Sequence, residues 1–315
     1  MHKIKLFFAI VLLLLAGVLP ASGQFGDIFN GINKAKQIHD ATQEWTPEQE
    51  EAVGRASAVR MIHVFGLYVN PAMTNYVNLV GNTVAQFGTR PMQYHFAILD
   101  TEMVNAFAMP GGYVFITRGA LANISNESEL AGVLAHEVAH VDGRHLERMI
   151  RDKKITGIAV QTGAEVGASQ ASGVAGFAAG MVDQYAAQAI TAALTMNYGP
   201  DKERDADKAG TEFAAKAGYD PAGLRNFLAM LQQAASDPKF KQATGMLNGK
   251  THPPLKDRVS KLTELSATYP AGGQVLEKRY KQNVNFESGS ATASAATPVT
   301  PATTAAKSTK KSASK

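Results

Sequence analysis

The spacing of apolar residues changes period several times along this chain, and each change marks an element. Lys3 and Lys5 precede an unbroken apolar run over residues 6–19, which the small residues Ala21, Ser22 and Gly23 follow. That order predicts a secretory signal peptide over residues 1–23, since the run falls short of the roughly 20 residues a spanning helix needs. In "TPEQEEAVGRASAVRMIHVFG" the apolar period becomes helical, with Thr46 as N-cap, Pro47 at the first helical position and Gln49 closing a capping box. The helix is expected to run to about Val64. A second is expected with Pro71 near its start, Tyr76, Val77, Val80 and Val84 on one face, and Gly88 past its end.

The pattern then shortens. "YHFAIL" (94–99), "VNAFAM" (104–109) and "YVFIT" (113–117) are rich in aromatic and branched residues, and Asp100-Thr101-Glu102 and Pro110-Gly111-Gly112 separate them. They predict three strands of a small antiparallel meander. A helical stripe returns in "NISNESELAGVLAHEVAHVDGRHLERMI", where Asn126 can cap, Glu129 holds the capping-box position, and Leu130, Val133, Leu134, Val138 and Val141 share a face.

Residues 155–195 are dominated by Ala and Gly, broken by polar residues such as Asp183 and Gln184. Their longest uncharged run is too short to span a bilayer. A loosely packed helical hairpin or a mobile lid is expected there in preference to a membrane-surface segment. Two further helices follow, one from Pro200-Asp201 through "KERDADKAGTEFAAKAG" and one capped by Asp220-Pro221. "THPPLKDRVSKLTEL" supplies a proline turn and a last helix. Strands followed by a run of helices define an α+β class, mainly helical, in a domain over residues 24–286.

Residues 287–315 are almost entirely Ser, Ala, Thr, Pro and Lys, too poor in apolar surface to offset chain entropy, and predict a disordered tail. Cysteine is absent. That excludes disulfides, thiolate metal sites, a cysteine nucleophile and a lipidated cysteine, so any metal must be held by histidine and carboxylate. The formal charge of +4 is carried by the ends: Lys3 and Lys5 supply two positive charges and Lys307, Lys310, Lys311 and Lys315 four, leaving all other residues together, Glu287 included, at −2. A nucleic-acid partner therefore has no electrostatic support in the domain. The basic tail is left as a candidate for peripheral contact with membrane or cell wall, and the oligomeric state is open.

"VLAHEVAHVDGRH" carries the chemistry. His136 and His140, four apart on a helix, can aim both imidazoles at one point, while Glu137 is rotated by about 100° from His136. This suits a zinc site with an adjacent base, and a histidine pair in the apolar stripe of a capped helix is costly without a function. Two nitrogens still need a third protein ligand. A metzincin would place a histidine at 146, which is Leu146 here; His145 misses by one and is expected to point away from the pair as a structural residue. Glu203 and Asp207, at i and i+4 in "DKERDADKAG", offer one ligand and one acceptor for a ligand imidazole, or are ordinary exposed helix acids beside Lys202, Arg204 and Lys208.

Four segments in order, "NAFAMPGGYVFITRGAL", "NESELAGVLAHEVAHVDGRH", "ERDADKAG" and "THPPLKDRV", resemble the HtpX/BepA-like zinc metallopeptidases. That is metallopeptidase family 48, which also holds the CAAX prenyl proteases and the mitochondrial inner-membrane quality-control protease. The resemblance covers roughly residues 46–265 and implies a gluzincin-type domain with one zinc ion. It makes His136 and His140 zinc ligands, Glu137 the catalytic acid/base, Glu203 the third ligand and Asp207 the carboxylate behind a ligand. His252 and Arg258 become candidates for assisting catalysis. Asn105, Ala106, Phe107 and Ala108 become a cleft-facing strand to which an extended substrate adds. Two departures stand out: the middle acid of the family's Glu-x-Glu-Ala-Asp is Asp205, and Gly199-Pro200 replaces the usual Ser-Arg. The implied protein is an exported, periplasmic or secreted metalloendopeptidase acting on polypeptides in protein quality control. The alternative is a latent or non-proteolytic assembly factor that retains the zinc fold.

Overall fold

The computed structural model describes residues 43–160, 179–195, 198–235 and 254–286. The expected signal peptide, the expected tail and His252 lie outside the described residues. The chain divides into Met1–Val284 and Asn285–Lys315, and every element below belongs to the first unit.

Helix α1 (Pro47–Phe65) opens on the expected capping box, in which Thr46 Oγ1 accepts from the Gln49 N–H and the Gln49 side chain accepts from the Thr46 N–H. Two orphan donors of the first turn are thereby satisfied. Helix α2 (Pro71–Ala85) is capped by Asn70, which accepts from the Met73 N–H, and it buries Tyr76, Val77, Val80 and Val84 as its spacing predicted.

Strands β1 (His95–Leu99), β2 (Ala106–Met109) and β3 (Tyr113–Thr117) form a sheet in the order β1-β3-β2. β2 and β3 are an antiparallel hairpin through Pro110-Gly111-Gly112, but β1 runs parallel to β3, pairing His95 with Tyr113 through Leu99 with Thr117. The sheet is therefore mixed, which corrects the expected meander. Its cause is the link over residues 100–105. Asn105 N–H donates to Thr117 Oγ1 and Thr117 N–H to the Asn105 carbonyl, anchoring the link at the end of β3. The chain thus crosses over that end, and β3 sits between its two predecessors. The outer edge of β1 is taken by the α1–α2 connection, where Tyr68 N–H donates to the Ile98 carbonyl. Among the described residues β2 is left as the sheet's edge.

Helix α3 (Arg118–Asn123) leads into α4 (Glu127–Asp142), whose residues from Glu127 to Val141 are all buried. It is followed by α5 (His145–Val160), α6 (Ala179–Thr195), α7 (Pro200–Lys216), α8 (Gly223–Ala234), α9 (Leu255–Ser266) and α10 (Glu277–Asn283), of which α7 and α8 pack most extensively on it, while α6 packs on α1. A helix buried on every side is a core element, and here it also carries the histidines. The described part of the Ala-rich segment is packed too. Ala186, Ala189 and Ala192 of α6 are fully buried beside α1, and Tyr185 meets Trp45 with ring centroids 5.1 Å apart. That packing goes against a membrane-surface role for α6; residues 161–178, where a lid would lie, are outside the described residues. No described helix is long and apolar enough to cross a membrane.

The short α10 was not anticipated. It clips the start of α4: Arg279 pairs with the buried carboxylate of Glu127, which also accepts from Tyr76 Oη at 2.8 Å and Tyr219 Oη at 2.7 Å.

Candidate metal centre

Asn126 starts α4 by accepting from the Glu129 N–H, and Glu129 reaches back to the Ser125 N–H. Two and a half turns further, the Nε2 atoms of His136 and His140 stand 3.1 Å apart. Helix α7 brings Glu203 to them, with Oε2 3.7 Å from His136 Nε2 and Oε1 3.7 Å from His140 Nε2. All three residues are buried, with ligand atoms within 4.8 Å of one another. A tetrahedral ion with bonds of roughly 2.0–2.1 Å separates its ligand atoms by about 3.3–3.4 Å, so these spacings bracket what one ion requires. Two imidazole nitrogens and a carboxylate converging in the core fit a cation.

Helix α7 can come this close because of Gly210. A Cβ there would lie 2.8 Å from the N and Cα of His136. Gly199-Pro200 starts α7, so Glu203 falls in its first turn.

Behind these three side chains is a charged layer. His136 Nδ1 is 3.0 Å from Asp207 Oδ1. Arg258, from the first turn of α9, donates to the same carboxylate from Nη2 at 2.6 Å and from Nε at 3.1 Å. Its Nη1 is 3.5 Å from Glu203 Oε2 and its Nη2 3.4 Å from His136 Nε2. Burial opposes ionisation of Asp207, but Arg258 and His136 outweigh it and hold the carboxyl below its ordinary range. Burial and the Arg258 charge likewise oppose protonation of His136, and Asp207 with Glu203 overcomes them and raises its pKa. Glu137 is buried on the next position of α4, and its charge acts on both Arg258 and Tyr198.

His145 corrects the sequence reading. It does not point away: its Nδ1 lies 2.9 Å from His140 Nδ1, with the two rings T-shaped at 4.9 Å. The expectation assumed one continuous helix, whereas α4 ends at Gly143 and Arg144 adopts a left-handed backbone (φ 51) before α5 begins at His145. Burial takes the His145 pKa down to about 4, leaving the ring neutral at neutral pH. Tyr198 was missed altogether. It stacks on the other side of His140 at 4.2 Å, and burial, Glu137 and Glu203 push its pKa well up. Its sole signal was an aromatic just before the Gly-Pro start of α7.

Of the expected substrate strand, Asn105, Phe107 and Ala108 are buried and Ala106 is half-buried. β2 packs against α4.

A His-Glu-x-x-His helix facing a second helix that supplies a glutamate, beside a small sheet, is the arrangement of a gluzincin-type metallopeptidase. Comparison with known families agrees, because residues 71–266 match the family described as Peptidase family M48. The chain belongs to that family. It is 31% identical over 216 residues to the β-barrel assembly-enhancing protease of Yersinia pestis, covering 68% of this chain and 42% of that one. It is 32% identical over 228 residues to a putative β-barrel assembly-enhancing protease of Vibrio cholerae, covering 71% and 46%. It is 25% identical over 193 residues to the mitochondrial metalloendopeptidase OMA1 of Schizosaccharomyces pombe, covering 61% and 52%. The chain thus spans less than half the length of the first two relatives.

Proposed function

We propose that this chain is a zinc-dependent metalloendopeptidase that hydrolyses unfolded or misassembled cell-envelope proteins. The observation that carries the reading is the buried convergence of His136, His140 and Glu203 with Glu137 on the same helix. Two imidazoles and one carboxylate suit zinc among the available divalent ions and leave room for substrate. A single zinc ion held there would polarise the scissile carbonyl and acidify the attacking water. Glu137, buried on the same helix, would serve as the group that takes a proton from the attacking water and returns it to the leaving amine. Asp207 holds His136 through Nδ1 and keeps its Nε2 turned toward Glu203. Because the Arg258 guanidinium is committed to Asp207, we assign it to orienting that carboxylate and Glu203. His252 remains the candidate for steadying the oxyanion.

The edge strand β2, through Asn105, Ala106, Phe107 and Ala108, receives an extended peptide by main-chain hydrogen bonds. Such pairing tolerates varied side chains and so suits unfolded substrates. Two relatives named for β-barrel assembly support an envelope setting, as does the signal-like pattern of residues 1–23, which directs the chain to the periplasm. Retention of Glu137 speaks against the non-proteolytic alternative. The reading is tested by incubating the purified full chain with unfolded casein, then with a chelator, then with zinc restored. Cleavage that stops on chelation and returns with zinc is expected; cleavage indifferent to the chelator would overturn it.

A further inference from the structure

We propose that His145 is a positioning residue for the metal: its unprotonated Nδ1 accepts the Nδ1–H of His140 and so fixes that ring with Nε2 toward His136 and Glu203. The inference rests on the zinc reading above and extends it to a residue outside the ligand set.

A histidine that ligates through Nε2 must carry its proton on Nδ1, and a partner for that proton fixes both tautomer and ring orientation. For His136 the partner is Asp207. For His140 it is His145 Nδ1, at 2.9 Å. The T-shaped arrangement, ring centroids 4.9 Å apart and 81° between planes, lets one ring's nitrogen meet the other's in plane. Tyr198 stacked on His140 at 4.2 Å restrains that ring's remaining freedom. His140 is thus held at its edge by one side chain and on its face by another.

The backbone is built around this contact. A continuous helix would carry residue 145 away from residue 140, since five positions on an α-helix turn the side chain by about 140°. Gly143 closes α4, and Arg144 takes the left-handed conformation that folds His145 back. Arg144 is locked there by donating to the Trp45 carbonyl at 3.0 Å and to Glu147 at 3.2 Å. Gly143 itself has ordinary helical dihedrals, φ −76 and ψ −1, so its backbone does not require glycine. The requirement comes from His145, whose Nε2 would lie 2.5 Å from a Cβ at Gly143. The chain leaves this position without a side chain, and the ring fills the space.

The choice of acceptor also sets the charge of the site. His136 is backed by a carboxylate paired with Arg258, whereas His140 is backed by an imidazole and not by a carboxylate. Orientation is therefore supplied on the His140 side without adding negative charge, which would weaken the ion's pull on a substrate oxygen.

The test uses zinc-loaded full-length chain and two variants. In uniformly nitrogen-15-labelled wild type, a scalar coupling across the His140 Nδ1–H···Nδ1 His145 bond is expected, with the His145 proton on Nε2. A His145 ring protonated on Nδ1, or no coupling, would overturn the proposal without any mutation. His145→Phe keeps a ring but offers no acceptor, and about 10–100-fold weaker zinc binding is expected. His145→Asn returns an acceptor near the Nδ1 position and should restore most of that loss. Equal zinc affinity in wild type and a folded His145→Phe would reject the role, as would failure of His145→Asn to recover affinity while folded. If wild type itself holds no zinc, the metalloprotease reading fails instead, and the two failures are distinct.

Discussion

Gly210→Ala turns the closest approach of α7 and α4 into a measurement. A Cβ at Gly210 would lie 2.8 Å from the N and Cα of His136 and 3.0 Å from the carbonyl carbon of Ala135. Non-bonded carbons settle at about 3.5–4.0 Å, so the helices must part by roughly 0.7–1 Å. No rotamer change relieves the collision, because the opposing atoms are the backbone of α4. Glu203 rides on α7 seven residues earlier, about two turns along the same face, and moves with it. Its 3.7 Å spacings to His136 and His140 then lengthen by more than the roughly 0.5 Å a preorganised site tolerates. Zinc affinity should fall at least tenfold, or about 1.4 kcal/mol. Overpacking costs about 1–3 kcal/mol, and the better helix propensity of alanine returns about 1 kcal/mol. The net loss of stability is therefore only about 0–2 kcal/mol. A competition titration with a zinc-binding dye reads the first effect, and thermal melting of the metal-free protein reads the second. A folded Gly210→Ala protein with wild-type zinc affinity would refute the claim that this helix spacing sets the ligand geometry.

Three further outcomes follow from named contacts. Asp207→Asn should weaken zinc binding by about 10–100-fold, measured by the same titration, because Arg258 loses its counter-charge and His136 its carboxylate. Glu127→Gln should lower stability by about 1–3 kcal/mol, since the carboxylate accepts from Tyr76, Tyr219 and Arg279. Burial works against ionisation of Glu127, yet Arg279 and the two tyrosines hold its pKa below the ordinary 4.5. Its contribution is thus full above pH 4.5 and is lost as pH falls through the lowered folded value, so urea midpoints of wild type and Glu127→Gln should converge in acid. Identical differences at neutral and acid pH would contradict that assignment.

Local chemistry was legible in the sequence where one stretch of chain decides the outcome. Thr46 with Gln49, and Asn126, announced their helices because caps act within a single turn. The histidine pair was legible for the same reason, and Glu203 and Asp207 became specific through family resemblance. Sheet order was not, because alternation marks a strand without naming its neighbour; the Asn105–Thr117 bonds that place β3 in the middle join residues twelve apart. His145 departs from its expected direction because the helix breaks at Arg144, whose left-handed turn is held by donation to Glu147 just beyond it and to the Trp45 carbonyl 99 residues away in the chain. Tyr198 and α10 join the account only through packing, and no periodicity in their own segments signals it.

As proposed above, Glu137 would move the proton beside a zinc ion that His136, His140 and Glu203 would hold. The most direct test of this role compares wild type with Glu137→Gln for zinc content and for cleavage of unfolded casein in parallel. One zinc per chain is expected in both proteins, with cleavage in wild type alone. Undiminished cleavage by Glu137→Gln with zinc bound, or a wild-type protein that binds no zinc, would contradict it.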